Sequence, residues 1–587
     1  MDKWENNSTQ GVTHLFKMYE EGVAYQNRIG IRQSIPKNID FYEGRQWPAP
    51  TESTKNLPRP VINIVKMICR SKKSSILASP VRILYKSYAQ SGDTDKLNSF
   101  VSFIQKDMDQ DGIDRQAIDD GIKKGSYFYH YYWDSTVQSD TGRAEGGLRC
   151  EIIDPLNIFF ANPKETDEQK QRWILIATQT DPATLATLCD EQADLQKIAE
   201  EYKQDEYGRQ TVTLFTRYFK KDGEVFCERG TKTQIVCAPF SLTPKKFYTL
   251  DGIFDDEINN ITNDTLQNGL SNTESSTDSD YVRAHKDSES AFLMSLYEKR
   301  APKATLYPIV CGCYERREGS IYGISEVEGI IPNQKAINFN VAMSLLNAQQ
   351  CAWGKYVALP NALNGQKISN SPGQVLIDYS GTGDGIKRMK EESISSTPLE
   401  LVNTITQLTR TATGSSDIIS SEAISSNLSG VAIAQLQAQA EVPIEELRAA
   451  FWEVKRKQGK VLAQFIRLNY YDKEFIRVSR DKNGIECEHC DRFFSEEYEN
   501  SLFDVVVEPT KGTKSSISSD INMLDTCLKY DKISLETYIK AYPESAISNK
   551  YAILRQIEEE KRQEITLLRK ELEAYKNGKT LDPVSIN

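Results

Sequence analysis

The stretch "CEHC" at 487–490 gathers three soft metal-ligand residues, Cys487, His489 and Cys490. Structural zinc sites draw on these side chains, normally as paired clusters. No second Cys/His pair follows at zinc-finger spacing, and the adjacent His489 and Cys490 are poorly placed to share one ion. The competing reading is a hairpin turn between "FIRVSR" and "RFFSEE", and neither a metal nor a cofactor is expected. Cys311 and Cys313 occupy alternate positions of a strand and are expected to pack as small apolar groups.

Other chemistries lack their parts. No G-x-x-x-x-G-K-[ST] stretch exists to cradle nucleotide phosphates. "GTGDG" (Gly381–Gly385) sits between short strands with no helix after it and reads as a turn. Only four His occur, none in H-E-x-x-H, and there is no G-x-S-x-G elbow, so no enzyme is expected. Asp119–Asp120 and Glu445–Glu446 are sequence neighbours on helices, pointing in different directions, and read as surface charge. "KRKQGK" (Lys455–Lys460) reads as the solvated face of a helix, with DNA-phosphate contact as the alternative. "RSKKSS" (Arg70–Ser75) and "GIKRMK" (Gly385–Lys390) carry the same two readings.

The elements that would position these groups change character along the chain. A helical lead-in over 1–40 is broken at "FYEGRQWPAP" by Gly44, Pro48 and Pro50. Val61, Ile64, Val65, Ile68 and Ile76 then recur at helical spacing, and two more helices follow, the second ending at Gly125. From about 126 to 250 the runs "SYFYHYYWD", "LRCEIID", "NIFFAN", "WILIATQT", "TVTLFTRYFK" and "GEVFCERG" predict an antiparallel sheet region. Residues 255–290 are rich in Asn, Ser, Thr and Asp and read as a mobile surface loop.

Two long helices dominate the second half of the chain. Ile324, Val327, Ile331, Gln334, Asn338, Val341, Leu345, Ala348 and Ala352 step by threes and fours, with two amides where apolar groups belong and Pro332 as a start or kink. Ile444, Leu447, Phe451, Val454, Gln458, Val461, Phe465 and Leu468 repeat the rhythm after a small-residue head that joins at Pro443. "EFIRVSR" and "FDVVVEP" read as strands. The C-terminal part is helical and densely charged, with a stripe at Leu554, Ile557, Leu568 and Leu572.

With 587 residues the chain can bury a sizeable core, spread over about three or four domains. Lys+Arg total 72 against 83 Asp+Glu, a net charge of −11, which repels DNA and anionic membranes in bulk. A sequence-reading nucleic-acid binder would be more basic. The opening "MDKWENNSTQ" is polar, and no segment approaches the roughly 18 apolar residues of a membrane helix, so neither secretion nor insertion is expected. Eleven scattered Cys suit a reducing compartment.

The succession "YEGRQW", "PVINIV", "GIKKGSYFYHYYWD", "IIDPLNIFFANP", "SEVEGIIPNQKAINFNVAM" and "LSGVAIAQLQAQAE" resembles the portal proteins of tailed bacteriophages. The resemblance implies an α+β, portal-like fold with long stem and wing helices, a mainly antiparallel β wing region, a small α/β clip and a helical C-terminal crown. It divides the chain into wing (1–323), first stem helix (324–352), clip (353–395), second stem helix (396–413), tunnel loop (414–428), wing helix with returning strands (429–514) and crown (515–587).

It further implies a ring of about twelve copies at one capsid vertex, a conduit for genome packaging and ejection in the virion after assembly in the host cytoplasm. Implied partners are double-stranded DNA, bound without sequence preference, the terminase large subunit, major capsid and scaffolding proteins, and neck, adaptor and tail proteins, with no membrane. Ser415, Ser416, Ser420, Ser421, Ser425, Ser426 and Asn427 fall in the tunnel loop, and Lys387, Arg388 and Lys390 in the clip, where motor and neck would dock.

Gln334, Asn338, Val341 and Leu345 are expected to form a seam between copies, paired amides fixing register; the alternative is a polar core. Two competing classes remain, a nucleic-acid-processing enzyme and a vertex adaptor or scaffold that lines no channel.

Overall fold

The computed structural model describes residues 12–55, 57–78, 81–87, 94–137, 146–189, 195–244, 303–352, 356–367, 375, 377–381, 384–388, 397–414, 430–470, 472–480, 486–494, 498, 503–509, 514–530, 532–542 and 550–576. The segment 255–290, expected to be a surface loop, lies outside the described residues.

Helices α1 (His14–Ile29) and α2 (Ile31–Glu43) meet at Gly30, whose φ of 81° closes one helix and opens the next. Asn63 caps α3 (Ile64–Leu77) by accepting the Lys66 N–H at 2.9 Å. Strand β1 (Val81–Ser87) precedes α4 (Thr94–Asp107) and α5 (Gln110–Lys124). Burial of Leu97, Phe100, Val101 and Ile104 at helical spacing gives α4 its inward face.

The expected antiparallel region is two separate sheets. Strands β2 (Ser126–Asp134) and β3 (Gly147–Ile153) are joined on the far side of β2 by β10 (Ile309–Cys313), giving the order β10-β2-β3. The larger sheet runs β4 (Ile158–Phe160), β5 (Trp173–Thr180), β7 (Gln210–Lys221), β8 (Glu224–Gly230) and β9 (Ile235–Ser241), with β6 (Lys203–Gln204) beside β7. Short helices α6 (Pro182–Leu188) and α7 (Leu195–Ala199) intervene, and Leu185 and Ile198 pack against Val212 and Val236.

The second half holds α8 (Glu326–Ala352), β11 (Tyr356–Ala358), β12 (Ile386–Arg388), α9 (Thr397–Ala412) and α10 (Gly430–Asn469). Beyond them come β13 (Asp472–Arg480), β14 (Glu486–Phe494), β15 (Phe503–Pro509), α11 (Lys514–Lys529), α12 (Leu535–Ala541) and α13 (Lys550–Lys576). Helix α8 begins before Pro332 and runs through it, so Pro332 is not its start, and α10 runs unbroken through Pro443.

The largest core draws on both ends of the chain. It joins Ile68, Tyr85, Phe100 and Tyr129 to Val454, Phe465 and Phe493, each apolar side chain contributing ~1.5–3 kcal/mol when fully buried. Phe100 stacks on Phe493 with ring centroids 4.0 Å apart. Strand β1 pairs with β15 from Val81↔Pro509 to Ser87↔Phe503, an association that local patterning did not anticipate. Helix α10 passes close against that ribbon at Gly459, where a Cβ would stand 2.4 Å from Val505, and the Tyr85 hydroxyl donates to the Gly459 carbonyl at 2.7 Å.

A second core of Ile31, Ile35, Phe128, Phe160 and Tyr322 connects α2 with both sheets. One crossing fixes where α8 begins. Gly125, at φ 86°, ends α5 so close to the incoming chain that a Cβ on it would lie 2.8 Å from the Ile324 carbonyl carbon. Ser325 donates its hydroxyl to the Ile122 carbonyl at 2.8 Å, and the Gly323 N–H donates to Ser126 at 2.7 Å.

Candidate assembly and channel surfaces

The two amides of α8 do not face another molecule. Gln334 is 0% exposed and Asn338 3%. The Gln334 Oε1 accepts the backbone N–H of Ile64 at 3.0 Å and of Val65 at 3.4 Å, capping α3, while its Nε2 donates to the Ile62 carbonyl at 2.7 Å and to Asn338 Oδ1 at 2.9 Å. Asn338 donates in turn to Gln46 at 2.6 Å. The expected inter-copy seam is thereby corrected at these two positions to the polar-core alternative. An orphaned helix N-terminus from a distant segment needed acceptors, and the α8 amides supply them. Val341 packs at the core margin, and Leu345, on the same line one turn later, is 43% exposed.

Beyond residue 338 the α8–α9 hairpin leaves the core. Val402, Ile405 and Thr409 face α8, and Asn333 donates to the Thr409 hydroxyl at 2.9 Å, which makes the pair antiparallel. The remaining faces stay apolar and uncovered: Phe339 is 54% exposed, Met343 41%, Leu399 52% and Leu408 64%. At about 100° per residue Phe339 and Met343 lie on the side of α8 opposite Leu345, and Leu399 and Leu401 flank the buried edge of α9 from both sides. Seam reading missed these residues because they sit outside the three-and-four rhythm; their signal was apolar character at the supposedly solvent-facing positions. Only five charged residues, Glu326, Glu328, Lys335, Glu400 and Arg410, occur in the two helices.

Between the helices, β11 and β12 form a two-stranded antiparallel ribbon, Tyr356 opposite Arg388. Lys387 is exposed and pairs with Asp384 at 3.1 Å. Lys390 lies outside the described residues. The "GTGDG" stretch begins as the expected turn: Gly381 has φ 74°, and Asp378 accepts the N–H of Ser380 at 2.9 Å and of Gly385 at 2.8 Å. The Ser380 hydroxyl and these backbone groups hold the Asp378 carboxyl below its ordinary range. Tyr356, Val357, Leu359, Ile377 and Tyr379 are exposed. Ser415, Ser416, Ser420, Ser421, Ser425, Ser426 and Asn427 all lie outside the described residues.

Helix α10 buries the expected seam, with Ile444, Phe451, Val454, Val461, Phe465 and Leu468 inside and Leu447 packed against them. The "KRKQGK" cluster is not a solvated face. Lys455 is 4% exposed and paired with Asp114, whose other oxygen accepts from Tyr129 at 2.9 Å and Gln110 at 3.1 Å. Lys457 pairs with Glu168 at 2.9 Å, and Gln458 is fully buried, leaving Arg456 and Lys460 as the exposed members. Lys72 of the "RSKKSS" cluster is also buried. Asp119 and Asp120 are half-buried rather than surface charge, paired with Lys73 and Lys123 and with Lys124. Glu445 and Glu446 are exposed as expected.

The "CEHC" residues lie within β14 rather than in a turn. Position 487 pairs with Ser479, 489 with Arg477 and 490 with Ile476 in the β13–β14 register. Cys311 is buried, and its thiol is held well above the ordinary range by desolvation and by Glu168, as suits a packing group. Among the described residues no group of three or more His, Cys, Asp or Glu could hold a metal, and no helix is long and apolar enough to cross a membrane.

Among the described residues the arrangement offers uncovered apolar helix faces and a two-stranded ribbon with exposed apolar side chains. No curated protein matches the chain. A family model described as "Phage P22-like portal protein" matches residues 17–491, roughly four-fifths of the length, spanning the two sheets, the α8–α9 hairpin, α10 and most of β14. Portal proteins are structural, and the family implies a homo-oligomeric ring at the capsid vertex of a phage virion. An α+β chain whose long helices reach out of its own core and leave their apolar faces uncovered fits that assembly, and it belongs to the phage P22-like portal protein family.

Proposed function

We propose that the ring is the conduit through which the genome is packaged and ejected. The α8–α9 hairpins form its stem, the β11–β12 ribbon is the clip, and the terminase motor and the neck dock on that clip. The observation that carries this reading is the exposure of apolar residues on opposite sides of one hairpin, Phe339 and Met343 against Leu345 on α8. A helix that is apolar around its circumference is stable in water only when covered on all sides. Each copy in a closed ring has two different neighbours, one on each side, so a ring covers both faces at once.

The scarcity of charge on the hairpin suits a channel wall. Four threonines of α9, and Thr413 just beyond it, donate their hydroxyls to carbonyls four residues back, among them Thr404 to Glu400 at 2.9 Å and Thr411 to Gln407 at 3.0 Å, so they offer no free donor to a phosphate. Affinity for a duplex grows with each phosphate neutralised, and a passage for moving DNA should neutralise few. Residues 414–428 are assigned to the tunnel loop, with Ser415, Ser416, Ser420, Ser421, Ser425, Ser426 and Asn427 touching the duplex. Lys387, Arg388 and Lys390 are assigned to the clip's docking face. Residues 1–323 and 429–514 form the wing and 515–587 the crown.

End-on electron microscopy of the purified protein tests the proposal. Rings of about twelve copies with a hole wide enough for a duplex are expected. A strictly monomeric protein by light scattering at high concentration, or rings without such a hole, overturns it.

A further inference from the structure

A basic patch interrupts the acidic exterior where α2, α3, α5 and the hairpin meet. Lys66 and Lys123 both sit on the Tyr42 ring, 5.7 Å and 4.1 Å from its centroid. Lys123 shares Asp119 with Lys73. Lys335 lies over the neighbouring Phe41 at 5.8 Å, and Arg410 reaches the Met67 sulfur at 3.3 Å. Arg70, one turn after Lys66, is exposed. Among the described residues no carboxylate lies within ion-pair distance of Lys66, Arg70 or Lys335. Asp119 is the one acidic side chain ion-paired within the cluster, and its own two lysines already occupy it.

Two features say what covers this patch. It is continuous with the uncovered hairpin face, since Lys335 precedes Phe339 and Met343 along one stripe of α8. It is also mixed in kind, because Val61, Ile62 and Met67 are 39%, 48% and 39% exposed beside the cations. A phosphate backbone has no use for that apolar surface, whereas a protein face does.

We infer that Lys66, Arg70 and Lys335 form the charged rim of the contact between adjacent copies, receiving carboxylates from the next copy of this chain. The inference rests on the ring reading above and adds to it. A neighbour with net charge −11 presents the complementary sign. In a head-to-tail contact the patch meets a different surface, so the lysines need not oppose their own copies. Rim charges of this kind set orientation and salt sensitivity more than total affinity.

The test reverses the charges in the full-length chain, Lys66→Glu, Arg70→Glu and Lys335→Glu together. A milder version with Gln at all three positions is run in parallel, because Lys66 also packs on Tyr42. Ring formation is followed by light scattering over a sodium chloride series, with thermal midpoints recorded. The expected result is that both variants keep the midpoint, while the reversal raises the protein concentration needed for rings by about tenfold at low salt and flattens the salt dependence. Unchanged assembly and salt dependence in folded variants overturns the inference. Normal rings that retain less duplex DNA also overturn it, and assign the patch to nucleic acid. If the unaltered chain forms no rings, the conduit reading itself falls, which is a separate and visible outcome.

Discussion

Residues 326–338 and 339–352 form one helix in opposite surroundings. The first half is sealed into the largest core, its two amides bonded to α3 and Gln46. The second half exposes Phe339, Met343 and Leu345. Their patterning is nearly the same, and the difference is what lies alongside. Periodicity tells which face of a helix is apolar; it does not tell which chain covers that face. Where the cover comes from the same chain, stability resides in the protomer. Where the cover is missing, stability has been deferred to the assembly.

Substitutions separate the two regimes. Phe451→Asp places a charge in the shared core and should cost about 4 kcal/mol or more, unfolding the protomer. Retention of the wild-type thermal midpoint would show that α10 does not hold the largest core together. Asp114→Ala strands the buried Lys455 and should cost about 3–5 kcal/mol, whereas Asp114→Leu with Lys455→Met should recover most of it. Denaturant melts of the single and double variants decide between a pair that stabilises and one that merely coexists with the core.

Gln334→Leu removes the acceptor for the Ile64 and Val65 N–H groups of α3 and the donor to Asn338 Oδ1, for a loss of about 1–3 kcal/mol. If instead only assembly suffered, the polar-core assignment would be mistaken. A pH titration probes a weaker tie between α3 and α5. Burial alone would raise the Asp119 carboxyl, but the hydrogen bonds and charges of Lys123 and Lys73 outweigh it and hold it below the ordinary range. Its contribution is therefore full above the unfolded carboxylate pKa and is lost as pH falls through the lowered one. Asp119→Asn should flatten that acid limb. Smallest for the protomer is Phe339→Ser with Leu408→Ser, within about 0.5 kcal/mol of wild type, yet ring formation should fail. A drop in protomer stability instead would move the hairpin into the first regime.

Much of this architecture was readable from residue order. One helix expected over 324–352 is found at Glu326–Ala352, and another expected over 396–413 at Thr397–Ala412. Local signals sufficed there: apolar spacing, Gly125 as a stop, β-branched runs as strands. The largest misreadings involve partners far away in sequence. Lys455 looked solvated because Asp114 is 341 residues distant, and Gln334 looked like an interface residue because its acceptor duty belongs to Ile64, 270 residues earlier. The pairing of β1 with β15 is invisible for the same reason. The "CEHC" run, read as a hairpin turn, instead lies within β14.

The crossing of Gly125 with the chain entering α8 leaves no room for even a methyl group between two backbones. Such a joint behaves as a bearing without play, because there is no side chain in it to rotate or compress. Force applied at the outer tip of the hairpin must then be absorbed along the exposed length of the lever, or handed through the amide link to α3 and so into the largest core.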